Sequence, residues 1–189
     1  MKRKPVPPGF AVRPMRDGDV DAFVALFARV AAEGTWIATE APFHVADFTR
    51  RVRLGLRATG SGNAEFVAVH VESEAVVGQI RAFRLPGEPA RASVGMLLDS
   101  GFRGRGLGGA LLDAAIAWAR EARLHGLELE VFPHNAAALR LYRSRGFRDE
   151  ELRRGAISRR NGECWDALAM RLELEPAPEE RARQSSWRS

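Results

Sequence analysis

The sequence predicts an α/β domain built on a mixed, mostly antiparallel central sheet with flanking helices, and three observations carry that expectation. "EFVAVHVE" (Glu65 to Glu72) and "AVVGQIRAFRL" (Ala75 to Leu85) are β-rich runs separated by a short polar turn, which is a hairpin signature. "FRDEELRRGAIS" and "ECWDALAMRLEL" repeat the pattern as a closing antiparallel pair around a turn at Asn161-Gly162. Before and between these pairs the apolar spacing changes to that of amphipathic helices.

The first element is a short strand, "FAVRP" (Phe10 to Pro14). Asp17 or Asp19 then opens a helix whose apolar positions Val20, Phe23, Phe27 and Val30 recur at helical spacing until Gly34 stops it. A second helix is expected from about Val45 to Ala58, after the loop "GTWIATEAPFH". Beyond the hairpin and the turn "PGEPAR", "ASVGMLLD" (Ala92 to Asp99) reads as a further strand. From Leu107 to about Arg123, the residues Leu107, Leu111, Ala114, Ala115, Trp118 and Ala122 make one helical face, ended near Gly126. "LELEVF" (Leu127 to Phe132) alternates as a strand, and Asn135 caps a short helix that ends at Gly146. Residues 1–9 read as a flexible N-terminus and 10–174 as one domain. The polar, Pro-containing tail 175–189 is expected to be disordered.

A chain of 189 residues with 46% hydrophobic residues can bury one sizeable core and is short for two domains. "MKRKPVPPGF" has a positive cluster with no apolar run behind it, and no stretch approaches membrane-spanning length, so a cytoplasmic location without membrane attachment is expected. Cys164 is the only cysteine, which excludes an internal disulfide and a multi-cysteine metal site, and no metal centre is expected. The formal charge of +5 could suit nucleic acid, but the basic residues are scattered and accompanied by acids, so an anionic cofactor explains them as well and no nucleic-acid partner is expected.

The stretch "GFRGRGLGGALL" (Gly101 to Leu112) carries the phosphate-binding spelling of this chain. Gly104, Gly106 and Gly109 spell G-x-G-x-x-G, the dinucleotide fingerprint, with Glu130 roughly 20 residues on as a ribose-binding acid. That loop needs its first glycine directly after a strand, inside a parallel sheet. Here Asp99 to Arg103 intervene and the preceding chain reads as hairpins. Equally, Arg103, Gly106 and Gly108 spell R-x-x-G-x-G, in which Gly106, Gly108 and Gly109 let the backbone approach a pyrophosphate. The amides of the helix beginning at Leu107 face that anion, and Arg103 and Arg105 add charge.

With that loop, the chain resembles the GNAT superfamily of acyl-CoA-dependent N-acetyltransferases over roughly Phe10 to Leu174. The resemblance rests on "VGMLLDSGFRGRGLGGALL" (Val94 to Leu112), on "LELEVFPHNAAALRLYRSRGF" (Leu127 to Phe147) with its N-x-x-A-x-x-L-Y-x-x-x-G-F pattern, and on "GECWDALAM" (Gly162 to Met170). The ending is most similar to the branch containing bacterial amino-acid and ribosomal-protein N-terminal acetyltransferases. It implies acetyl-CoA as co-substrate and a GNAT-like sheet in which two neighbouring parallel strands, Ala92 to Leu98 and Leu127 to Phe132, splay apart.

In that gap the resemblance implies that the backbones of Met96 and Leu98 bond the pantetheine arm as an added strand would. Arg103, Gly104, Arg105, Gly106, Gly108 and Gly109 would hold the pyrophosphate. Asn135 would contact the cofactor or orient the helix it caps. Tyr142, the sole tyrosine, stands where the family places the general acid that protonates the departing thiolate. Many relatives carry a glutamate on the strand before the glycine loop, but "ASVGMLLD" has no carboxylate until Asp99. A backbone-held water, Glu40 or His44 would then serve as base, and the loop carrying Trp36, Glu40 and His44 would line the acceptor site, with Trp36, Ile37 and Phe43 as an apolar wall. Near neutral pH roughly one lysine amine in a thousand is neutral, a cost of about 4 kcal/mol, whereas an α-amine with a pKa of about 7.8 costs little. A site without a strong base therefore leans toward an α-amine, of an amino acid or of a protein N-terminus. The alternatives are a xenobiotic amine such as an aminoglycoside or polyamine, and a CoA-binding or nucleic-acid-binding module without catalysis. The sequence leaves a homodimer open.

Overall fold

The computed structural model describes residues 5–57 and 62–174. The expected disordered tail at 175–189, residues 1–4 of the expected flexible N-terminus and the expected helix end at Ala58 lie outside the described residues. In chain order the elements are β1 (Phe10–Pro14), α1 (Val20–Ala32), α2 (Val45–Arg57), β2 (Ala64–His70), β3 (Val76–Leu85), β4 (Glu88–Leu98), α3 (Leu107–Glu121), β5 (Gly126–Val131), α4 (Ala136–Ser144), β6 (Arg148–Ser158) and β7 (Cys164–Glu173). The strands form one sheet in the order β1-β2-β3-β4-β5-β7-β6. Every neighbouring pair is antiparallel except β4 with β5.

Alternation along the strands sends apolar side chains to both faces, as a sheet covered on both sides requires. On β2, Val67 and Val69 pack with Phe23, Val24, Leu26 and Val30 of α1, while Ala68 between them joins Leu107, Leu111 and Ala115 of α3. Tyr142 and Leu139 of α4 belong to the α3 side. Phe48 and Val52 of α2 pack from the margin onto the α1 side.

Three element boundaries differ from the sequence expectation. β4 begins at Glu88 rather than Ala92, because cross-strand pairing with β3 reaches back through "EPAR" and leaves a turn of Pro86 and Gly87. α3 ends at Glu121, and Gly126 opens β5. The helix closes when Arg123 adopts a φ of 54° and the buried Leu124 donates its N–H back to the Ala119 carbonyl at 2.9 Å. That capping pattern usually uses glycine at the left-handed position, so glycine spacing pointed too far along the chain. At the start of α1, Asp17–Asp19 form a 3-10 turn, and the Asp19 carboxylate takes the Arg13 guanidinium and the Arg16 N–H instead of capping the helix.

The parallel pair β4 and β5 is in register only at Arg91–Gly126, Ala92–Leu127 and Ser93–Glu128. β4 then continues to Leu98 and β5 to Val131 with no strand between them. The pair therefore opens into a V whose mouth faces the N-terminus of α3 and the start of α4.

Candidate functional site

A cleft of about 1360 Å³ passes through this V. It is lined from the α3 and α4 side by Gly108, Leu141 and Tyr142, and from the α1 and α2 side by Phe27, Phe43 and Phe48. The hydrogen-bond parity of β4 decides what its backbone offers. Asp99 donates to Val77 of β3 at 2.9 Å, whereas the Ala90 carbonyl accepts from His125 on the β5 side at 2.7 Å. Odd-numbered residues thus serve β3, and even-numbered ones turn N–H and C=O toward β5. Beyond Ser93 that side is open, so Met96 and Leu98 present their backbone to the gap. The Leu98 carbonyl is already engaged, accepting from Arg103 Nε at 3.1 Å and Nη2 at 3.0 Å. Its N–H and both groups of Met96 remain for an extended ligand.

At the mouth, Asp99 orders the turn before the glycine loop by accepting the Gly101 N–H at 3.1 Å and the Arg29 guanidinium at 2.8 Å. Burial works to raise its pKa, but these donors outweigh that and hold it below the usual carboxylate range. Gly104 at φ 74°, with open space around it, and Gly106 at φ 87°, where a Cβ would meet Pro7 at an ordinary 3.5 Å, then turn the chain. The first ladder bond of α3 runs from Ala110 to Gly106 at 3.2 Å, so the amides of Leu107, Gly108 and Gly109 precede the ladder and point out of the helix. These amides and the positive end of the helix dipole fit a pyrophosphate.

The glycines do not share one role. A Cβ on Gly108 would sit 3.2 Å from Leu141 and 3.3 Å from Leu98, and one on Gly109 would sit 2.7 Å from Arg145, which Asp113 holds. These two are glycine because α3 packs closely on α4 and β4. Conformational freedom matters at Gly104 and Gly106.

The side chains expected around the site are distributed unevenly. Arg103 reaches away from the loop, pairing with Glu33 through two bonds of 2.7 Å and lying over Trp36. Arg105 lies over Phe102, outside the cleft lining. Asn135 lines the cleft while its Oδ1 caps α4 by accepting the Ala138 N–H at 3.1 Å. Tyr142 is buried and lines the cleft, and burial pushes its phenol up to about 12. Trp36, Ile37 and Phe43 line the cleft, but Glu40 and His44 do not. Glu40 accepts the Arg160 N–H at 2.8 Å and meets Arg159 at 3.3 Å, and His44 is exposed beside Asp47 at the start of α2.

Two features escaped the sequence. Arg159, in the turn between β6 and β7, is buried and donates to the carbonyls of Gly34, Ile37 and Ala38, which shapes the loop after α1 from the far edge of the sheet. Glu65 lines the cleft from β2, where burial raises its pKa while the Gln79 amide donates to it at 3.1 Å. Neither stands in a local motif. Only the position of Glu65 on the Val67 and Val69 face of an alternating strand hinted at burial.

A sheet split between two parallel strands, beside unpaired amides at a helix N-terminus, leaves room for an extended ligand with an anionic group. Comparison with known proteins gives this architecture a family: the model of the Acetyltransferase (GNAT) family matches residues 31–147, and the chain belongs to it. It is an N-acetyltransferase that uses acetyl-CoA. A phosphinothricin acetyltransferase from Sinorhizobium meliloti in complex with AcCoA superposes with a TM-score of 0.77 at 20% identity, covering 90% of this chain and 94% of that one. A ribosomal-protein-alanine N-acetyltransferase from Brucella melitensis gives 0.76 at 24%, covering 87% and 99%. An acetyltransferase of the GNAT family from Streptococcus pneumoniae gives 0.75 at 21%, covering 87% and 99%. At these identities the likeness establishes the fold. The structure agrees with the sequence in setting the dinucleotide spelling aside: a 3-10 turn, Ser100–Phe102, separates β4 from Gly104, and Glu130 is an ion-pair partner of Arg153.

Proposed function

We propose that residues 10–174 form an acyltransferase domain that moves acetyl from acetyl-CoA to the α-amine of an amino acid or of a peptide or protein N-terminus, with Tyr142 as proton donor. One observation carries the reading. The only tyrosine of the chain, a buried phenol, lines the same cleft as the open backbone of Met96 and Leu98 and the aromatic wall.

Acetyl-CoA supplies the acyl group already activated as a thioester. The amides at Leu107, Gly108 and Gly109 receive its pyrophosphate, Met96 and the Leu98 N–H hold its arm, and the phenol supplies the proton that a departing thiolate needs. On the acceptor side, Phe27 and Phe48 stack with centroids 4.2 Å apart and Phe43 meets each of them edge-on, which suits an apolar side chain beside a single amine. β4 offers Gly95 and Leu97 on that face and no carboxylate, which suits an α-amine that loses its proton readily. Similar structures bear the names of phosphinothricin and ribosomal-protein-alanine acetyltransferases, and both acceptors fit this description. A cytoplasmic location, where acetyl-CoA is available, fits the reaction.

The test is free-thiol release with mass spectrometry of products over a mixed amine panel. Hydrophobic amino acids or short peptides are acetylated faster than polyamines or aminoglycosides; the reverse preference overturns the acceptor assignment and leaves acetyl transfer standing.

A further inference from the structure

On the α1 and α2 face, the floor of the cleft contains a row of three residues that cross the strands: Glu65 of β2 pairs with Arg81 of β3, which pairs with Gly95 of β4. Gly95 adds no side chain, and a Cβ there would lie 3.9 Å from Arg81 Cγ, so the stem of Arg81 covers that end of the row. Its guanidinium rests on the Phe83 ring, 4.6 Å from the centroid, and is exposed within the cleft.

The other cleft arginines of the loop and sheet are matched. Arg103 is bound to Glu33, Arg153 to Glu130 and Glu151, and Arg171 to Glu128 and Glu150. Among the described residues Arg81 and Arg51 have no carboxylate at ion-pair distance; Arg51 stands on α2, and Arg81 alone stands on the floor. The cross-strand neighbour, Glu65, takes its hydrogen bond from Gln79 at 3.1 Å; Arg81 acts on it only through space and forms no ion pair with it. A guanidinium left unmatched on an aromatic shelf, in the cleft where the acceptor binds, is a fork for a planar anion.

We propose that Arg81 binds the carboxylate of the acceptor, which makes the acceptor a free α-amino acid rather than a peptide or protein N-terminus. The inference rests on the α-amine reading and narrows it. A peptide places a neutral amide where a free amino acid carries its carboxylate, and the charge of Arg81 is then unanswered.

The experiment compares leucine, leucinamide and leucyl-alanine as acceptors for the wild type, Arg81→Gln and Arg81→Lys, with thermal stabilisation by CoA reporting that each variant folds. For the wild type, kcat/KM for leucine exceeds that for the other two by about 10- to 100-fold. Arg81→Gln removes most of that preference through KM for leucine, with a much smaller effect on leucinamide, and Arg81→Lys retains part of it. Equal use of leucine and leucinamide by the wild type, or an equal loss on both in Arg81→Gln, overturns the carboxylate fork and leaves the α-amine reading intact. Acetylation of none of the three while other amines react overturns both.

Discussion

Tyr142 shows how one side chain can be poised by its surroundings alone. Its hydroxyl has no hydrogen-bond partner among the described residues, so burial by itself raises the pKa from 10.0 to about 12, and the phenol is protonated at neutral pH with or without that shift. Tyr142→Phe keeps the ring beside Phe147 and deletes the donor. We expect turnover to fall about 10²- to 10⁴-fold with CoA affinity nearly unchanged; a wild-type turnover number, measured with chemistry rate-limiting, returns the residue to a packing role. The same shift has a stability consequence. The unfolded phenol ionises near its ordinary value of 10.0 and the folded one near 12, so this contribution is complete below about pH 10 and is lost as pH rises toward 12. Because the chain has one tyrosine, ultraviolet absorbance during alkaline titration reads this residue directly.

At the scale of the element, the loop from β4 into α3 works through backbone geometry, and its side chains mostly brace it. Arg103 ties it to α1 through Glu33 and to β4 through Leu98, while Asp99 ties it to α1 through Arg29. On the proposed reading the pyrophosphate meets a set of donor amides fixed by Gly104 and Gly106. Gly106→Asp places an L side chain at φ 87° and a negative charge at the N-terminus of α3. We expect it to abolish thermal stabilisation by acetyl-CoA while the fold persists, with NAD giving no stabilisation to either protein. Stabilisation by acetyl-CoA equal to that of the wild type would show that the pyrophosphate binds elsewhere.

Across the whole molecule, the loop proposed to line the acceptor site is held by a residue from the opposite end of the chain. Arg159 reaches 121 to 125 residues back to the carbonyls of Gly34, Ile37 and Ala38, lies over Trp165, and meets Glu40. Arg159→Gln leaves those part-buried carbonyls short of donors and Glu40 with the Arg160 N–H alone, at a cost of about 1 to 2 kcal/mol. The expected result is a Tm lower by several degrees and a raised acceptor KM, with CoA binding kept. An unchanged acceptor KM beside a lowered Tm would limit Arg159 to stability. Glu40, read from sequence as a substrate group, also meets Arg159 and the Arg160 N–H.

The sequence by itself determined what lies within a few residues: helices from apolar spacing, two hairpins from alternation, the Asn135 cap, the turn at Gly106, and Tyr142 within its motif. Each of those rests on contacts inside one element, so its spelling is local. The mismatch at Arg123 and Gly126 shows the limit even there, since an arginine took the left-handed position that glycine usually marks. Only the tertiary structure decided where β4 and β5 part, because alternation encodes the faces of a strand and not the partner of its edge. It also decided that Arg103 turns to Glu33, 70 residues away, that Arg159 holds the loop after α1, and that Glu65, Arg81 and Gly95 share a row. Those relations depend on strand register and chain reversal, which bring distant residues together by packing the sheet as a whole.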